Sequence, residues 1–363
     1  MIVNSYALNL AGIDSTSQDP QGGAINKDVN GNPTGLLVDK ASLLVEKLIP
    51  KKSLQQDKEA LEIAINKSVK LGWTQLHDAG SPYSDFEILE EIKSEGNLNT
   101  RIQFYASDGP DALRMLGEGV KIDPLHMLSA RGIKLYADGA IGSRGAAFLE
   151  KYHDYDTSGF LIFEKEKTMP KLIEALKKGI QIETHAIGDK GNQFVLDTYN
   201  NALQDIKSRW RIEHAQMVHP DDINKFLPHQ IIPSMQPSHC TSDMPWLEDR
   251  LGDYRLDRIS KWRTFIDKGL KVAGGSDCPI ETGNPLFEFY AACTRQDHSG
   301  YPAGGWQPKE KVNSMEALKM LTTWGAHAEF NENRRGKINI GFDADLTVLS
   351  NNITQCSQKA VSY

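Results

Sequence analysis

Seven short apolar segments recur along the chain, each rich in β-formers and each ending on a polar residue. They are WTQLHD (73–78), RIQFYASD (101–108), GIKLYADG (132–139), IQIETHAIGD (180–189), RWRIEHAQ (209–216), QIIPSMQPSH (230–239) and LKVAGGSD (270–277). Between most of them lie stretches with the apolar spacing of amphipathic helices, such as DKEALEIAINKSVKLG (57–72) and MPKLIEALKKG (169–179). Repeated strand–helix units predict a parallel sheet. No GxGxxG phosphate turn follows any of these strands, and polar residues end every one of them instead of gathering at one switch point. That pattern favours an α/β protein of the TIM (β/α)8 barrel type over an open doubly wound sheet. The count is seven, where a closed barrel has eight.

The flanks read differently. NSYALNLAGI predicts a short helix, and GGAINKDVNGNPTGLLVDKA a β-hairpin turning at Asn30-Gly31. Residues 1–50 therefore precede the barrel, which is assigned to 51–327. At its end LTTWGAHAEF is helical, and GKINIGFDADLTVLS (336–350) predicts two short strands of a small β-layer outside the barrel, within a unit bounded at 328–350. The tail 351–363 is polar and expected to fray.

Composition narrows the class. Of 363 residues, 39% are hydrophobic and 25% charged, as in an ordinary globular protein. A net charge of −7 gives no general attraction for nucleic acid or an anionic membrane. No apolar run approaches the roughly 20 residues that span a bilayer, and the first residues lack the basic and apolar regions of a signal peptide. Cys240, Cys278, Cys293 and Cys356 are widely spaced with no CxxC pair, the distribution of reduced cytoplasmic thiols.

In a barrel of this kind the strand C-termini share one face, and chemistry collects there. His77, Lys134, His185, His214, His239 and Asp277 are the candidates. A lone histidine at a strand end is usually a structural residue. Three groups on three strands with one polarity, His185, His214 and Asp277, point instead to a zinc-type ion. Such an ion acidifies bound water, and Asp277 suits both ligation and proton acceptance. His77, in LHDAG, reads as holding a loop by hydrogen bonds. Lys134 lies among Ile133, Leu135 and Tyr136, and three readings stay open: it snorkels to solvent, it pairs with Asp138, or carbon dioxide converts its amine to a metal-bridging carbamate.

At these residues the chain resembles the amidohydrolase superfamily, in particular the amidohydrolase 3 family of N-substituted formamide deformylase-like metal-dependent hydrolases. The resemblance is carried by VNSYALNLAGI, GWTQLHDAG, IKLYADGAIGSRGA, THAIGDKGNQFVLDTY, RIEHAQMVHPDDI, SMQPSHCTSD, GGSDCPIETGNPL and GFDADLTVL, collinear over about residues 3 to 349. It implies a distorted barrel with a small β-sandwich, and hydrolysis of a non-peptide C–N bond of a small molecule by a metal-activated hydroxide. It also implies that carboxylated Lys134, His185, His214 and Asp277 hold one or two divalent ions, most naturally zinc. Asp277 then serves as general base, and His239, Arg144 and Trp246 contact substrate.

The family's first barrel strand carries a His-x-His pair, and no His-x-His occurs here. With the count of seven strands, this leads to the expectation that the chain lacks an N-terminal portion containing strand one and part of the sandwich. Two classes of function follow: a hydrolase represented by a shortened chain, or a non-catalytic remnant that binds a metabolite or partner. Aminohydrolase (deaminase) chemistry is a milder alternative. The open barrel edge is expected to weaken metal binding and to favour homo-oligomers.

Overall fold

The computed structural model describes residues 1–355; Cys356 and most of the polar tail lie outside the described residues. The chain opens with a helix, Ser5–Ala11, whose Asn4 side chain accepts the Ala7 N–H (3.0 Å) and which stops at Gly12 in the left-handed conformation. The expected hairpin follows as β1 (Gly23–Lys27) and β2 (Pro33–Asp39), antiparallel with Ile25 opposite Leu37. Leu8, Ile13, Ile25, Leu37, Ala41 and Val45 give this N-terminal piece its own small core.

All seven barrel segments form strands: β3 (Gln75–Ser81), β4 (Arg101–Ala106), β6 (Leu128–Tyr136), β7 (Gln181–Ala186), β8 (Arg211–His214), β9 (Ile232–Met235) and β10 (Ala273–Gly274). They pair in parallel in the order β10-β9-β8-β7-β6-β4-β3, and a two-residue β5 (Lys121–Ile122) adds antiparallel to β6. Among the described residues β3 and β10 do not pair with each other. The gap between them is crossed by side chains: Trp73 donates its indole N–H to the Gly283 carbonyl (2.6 Å), and Arg335 and Glu329 meet Gln75. No helix among the described residues is long and apolar enough to cross a membrane.

Alternation along each strand sorts the two faces. Ile102, Phe104, Ile133, Leu135, Ile182 and Ile212 join one core with helix residues such as Phe86, Ile92, Leu172 and Leu196. The opposite positions are polar and buried: Gln103, Lys134, Gln181, Glu183, Arg211, Glu213 and Ser234. Arg211 organises them. Its guanidinium forms ion pairs with Glu213 (2.8 Å) and Glu183 (3.4 Å), and donates to Ser234 Oγ (2.8 Å) and Tyr105 OH (3.1 Å). It also lies 3.1 Å from His77 Nδ1. Tyr105 OH in turn donates to Gln181 (2.6 Å), crossing over Gly132. A Cβ at Gly132 would sit 2.2 Å from the tyrosine ring, so only glycine lets that bridge form. His77 therefore belongs to a lumen network and does not hold a loop, as its sequence context suggested.

The C-terminal segment departs from expectation. Residues 336–350 form no strand. Ile338, Ile340 and Val348 are more than 90% exposed, so the alternation that predicts strands faces solvent with no sheet beside it. The segment is held by charge instead: Arg101 grips Asp345 through two bonds (2.6 and 3.1 Å), Arg335 reaches Asp343 (3.2 Å), and Thr347 donates to the Gly72 carbonyl (2.7 Å).

Two consequences are measurable. Arg211→Met leaves Glu183 and Glu213 buried without their cation, and urea unfolding should show a loss of about 3–5 kcal/mol. Arg209 clasps Glu332 through two bonds (3.0 and 2.6 Å), and with burial opposing it this lowers the glutamate pKa to about 2. A depressed carboxylate stabilises above its unfolded pKa and loses that contribution as pH falls through the folded one. The gap in melting temperature between the native chain and Glu332→Gln should thus be widest above about pH 5 and close as pH approaches 2. A gap independent of pH would show that the clasp contributes no charge-linked stability.

Candidate metal centre

The strand-end residues come from successive elements. Lys134 is on β6, His185 on β7 and His214 closes β8; His239 lies in the first turn of the helix Pro237–Leu251 after β9, and Asp277 follows β10. The His185 and His214 rings meet edge-on with centroids 4.6 Å apart, and the His214 and His239 rings stack at 5.8 Å. His239 Nε2 is 3.4 Å from Asp277 Oδ2. One donor atom from each of His214, His239 and Asp277 lies within 4.8 Å of the others.

Backbone conformation explains how His214 gets there. Glu213 already occupies the inward position, bound to Arg211, so strict alternation would turn the next residue outward. His214 instead has φ +73°, and Asp277 has φ +54°. Left-handed conformations in non-glycine residues cost about 1–3 kcal/mol and gather at functional sites. Here they bring a histidine and an aspartate back to the shared face.

Partners behind the rings fix their orientation. His214 Nδ1 is 2.8 Å from Gln236 Oε1, and His239 Nδ1 is 3.0 Å from Glu281 Oε1. Burial, reinforced by the Lys134 charge, lowers the His185 pKa to about 3. Burial and the neighbouring His185 and His239 rings also depress His214, so both are neutral imidazoles with lone pairs to share. Burial works against a charge on His239 too, but Asp277 and Glu281 outweigh it and raise its pKa to about 10. Burial would raise the Asp277 pKa, yet contact with His239 and the nearby His214 brings it below the usual value. Neutral imidazoles beside an ionised carboxylate are a donor set that fits a divalent ion.

Lys134 resolves two of its three readings. It is only 4% exposed, so it does not snorkel. Nor does it pair with Asp138, whose buried carboxylate accepts the N–H groups of Ala147 (2.9 Å), Ile187 (3.0 Å) and Gly188 (2.8 Å). The amine has no hydrogen bond or ion pair among the described residues and lies 5.3 Å from the Tyr136 ring. Gly80 makes room for it: a Cβ there would be 2.7 Å from Lys134 Cγ.

Arg144 lies in the loop that follows Lys134, and Trp246 on the helix Pro237–Leu251 that carries His239. Arg144 pairs with Asp154 (2.8 Å), and the Trp246 ring packs on Gly142. Among the described residues neither makes a hydrogen bond to His185, His214 or His239. The Gly139 carbonyl of that loop is 3.4 Å from His185 Nε2. The reading of the sequence passed over Gln236, Glu281 and Asp39. Asp39, with φ +47° and ψ −124°, presses its carboxylate against Gly139 and Gly145, where a Cβ would come within 2.5 and 2.0 Å. The signals were faint: Gln236 directly follows β9, and Glu281 lies four residues after Asp277.

Asp138→Ala leaves three buried backbone N–H groups without an acceptor. It should lower stability by about 3 kcal/mol or more by chemical denaturation, with faster amide exchange at Ala147, Ile187 and Gly188.

A model of the amidohydrolase family matches residues 1–363. The chain is 34% identical over 362 residues to the YtcJ protein of Bacillus subtilis (strain 168), covering 96% of this chain and 66% of that one. It is 26% identical over 373 residues to N-substituted formamide deformylase of Arthrobacter pascens, covering 98% and 67%. A crystal structure of an uncharacterized metal-dependent hydrolase from Pyrococcus furiosus superposes with a TM-score of 0.77 at 26% identity, over 98% of this chain and 70% of that one. The chain thus spans about two thirds of the length of these relatives.

Proposed function

The chain belongs to the amidohydrolase family, and from that premise we propose that it is a metal-dependent hydrolase of a non-peptide C–N bond, of the amide type, in a small molecule. The observation that carries this reading is the convergence of His185, His214, His239 and Asp277 from successive strand ends. Lys134 as its carbamate, His185, His214 and Asp277 would hold one or two divalent ions, with zinc the natural occupant of an imidazole and carboxylate set. The unpaired, buried amine of Lys134 supports its modification. The names of the relatives support hydrolysis in general and an N-substituted formamide as the kind of substrate to try first.

A divalent ion, when bound, supplies acidification of water toward pKa about 7 and polarisation of the scissile carbonyl. The chain's own residues supply the rest. Asp277, held ionised by His239 and His214, takes the proton of the attacking water and returns it to the departing amine nitrogen. Asp138, by tying the β6 and β7 loops together, keeps His185 aligned with that carboxylate. Arg144, from the loop after β6, and Trp246, from the helix that carries His239, would meet the substrate's remote part.

The test is hydrolysis of a panel of N-formyl and N-acyl amines by zinc-loaded protein. Lys134→Ala and Asp277→Asn should each lower kcat by about 100-fold or more, the scale of losing a general base. Chelation should abolish turnover. Turnover indifferent to chelator and to both substitutions would overturn the reading.

A further inference from the structure

We propose that His239 is a metal ligand, so that His214, His239 and Asp277 hold one divalent ion by themselves, without the Lys134 carbamate. Ligand separation is the first argument. Two donor atoms each about 2.1 Å from one ion, at a tetrahedral angle, lie about 3.4 Å apart. His239 Nε2 and Asp277 Oδ2 are 3.4 Å apart, and the His214 donor lies within 4.8 Å of both residues' donor atoms.

The second argument is what stands behind each ring. A ligating histidine almost always gives its other N–H to a carboxylate or carbonyl, which fixes the tautomer and aims the free nitrogen. His214 gives Nδ1–H to the Gln236 amide oxygen at 2.8 Å, and His239 gives Nδ1–H to Glu281 at 3.0 Å. Nε2 of each ring then faces the shared point, that of His239 once an ion displaces the proton it shares with Asp277. Glu281 is itself held by Ser242 Oγ at 2.7 Å, so the support has its own support. A residue meant only for passing contact with substrate needs no such backing.

The third argument is backbone cost. The strained φ of His214 and of Asp277 aims these two residues, together with His239, at one place, while Lys134 and His185 sit on regular strand geometry. The trio spans the ends of β8, β9 and β10, whereas Lys134 belongs to β6. The site is therefore local to one side of the sheet.

The experiment is Co²⁺ titration of the full chain after chelator stripping, read by equilibrium dialysis and visible absorption. The native protein and Lys134→Met should bind a first equivalent with affinities within about 3-fold of each other. Glu281→Gln should weaken that equivalent by about 10- to 100-fold, and His239→Asn by more. Glu281→Gln leaves the ring in place, so it reports even where His239→Asn fails to fold. Loss of the ion in Lys134→Met, or native-like binding in Glu281→Gln, overturns the proposal, as does a native protein that binds none. The readout does not depend on turnover: an ion held by the trio without hydrolysis would remove the hydrolase reading and leave this site standing.

Discussion

The Arg211 guanidinium is the keystone of the sheet. Adjacent parallel strands lie roughly 4.8 Å apart, so β8 and β3, four places apart in the sheet order, would be separated by about 19 Å in a flat sheet. Arg211 nevertheless comes within 3.1 Å of His77 on β3 while touching Tyr105 on β4, Glu183 on β7, Glu213 on its own strand and Ser234 on β9. Only a strongly curled sheet allows one side chain to reach all of these. The curl in turn makes the strand ends converge, and that convergence builds the candidate centre. Charge compensation inside the lumen and geometry at its mouth are consequences of the same contact.

Burying this network is costly, and the chain covers the cost by pairing. Burial and the neighbouring Glu213 push the Glu183 carboxyl well above its usual range, and Arg211 and Lys134 pull against that. The polar layer is therefore stable only as a set. Tyr105, Gln181 and Gly132 show how tightly the set is fitted, since the hydroxyl–amide bridge exists because the intervening strand carries no side chain at that level. The layer also closes the end of the barrel remote from the centre, through the Gln75, Glu329 and Arg335 contacts that bridge β3 to the C-terminal helices.

Much of this was legible from sequence because it is periodic. Each of the seven strands betrayed itself by an apolar run ending on a polar residue, and the polar end-groups His185, His214 and Asp277 follow from strand polarity alone. What was not legible has a common physical cause: it depends on contacts between distant segments. GKINIGFDADLTVLS carries a strand pattern, yet a strand needs a neighbour, and none stands beside it, so it runs along Arg101 and Arg335 instead. His77 resembles a loop anchor until the curl places it opposite Arg211. Gln236 and Glu281 acquire meaning only once the rings they support have been located. The positive φ of His214 is hidden for the same reason, because it is imposed by Glu213 holding the inward position.

Lys134 shows how depth in the barrel selects a residue type. In the parallel register Gly132 faces Gln181, Lys134 faces Glu183 and Tyr136 faces His185, so the inward positions form three rungs. Successive rungs on a strand are about 6.6 Å apart. Lys134 occupies the middle rung, level with Glu183 and Arg211, one rung below His185. A short polar side chain there would stay within the Arg211 network and could not take part at the mouth. The four-carbon stem of lysine spans about one rung, and Gly80 on β3 clears the space it passes through. The residue that looks least at home in an apolar strand is thus the one whose stem is long enough to carry a charge from the level of the buried layer toward the level of His185.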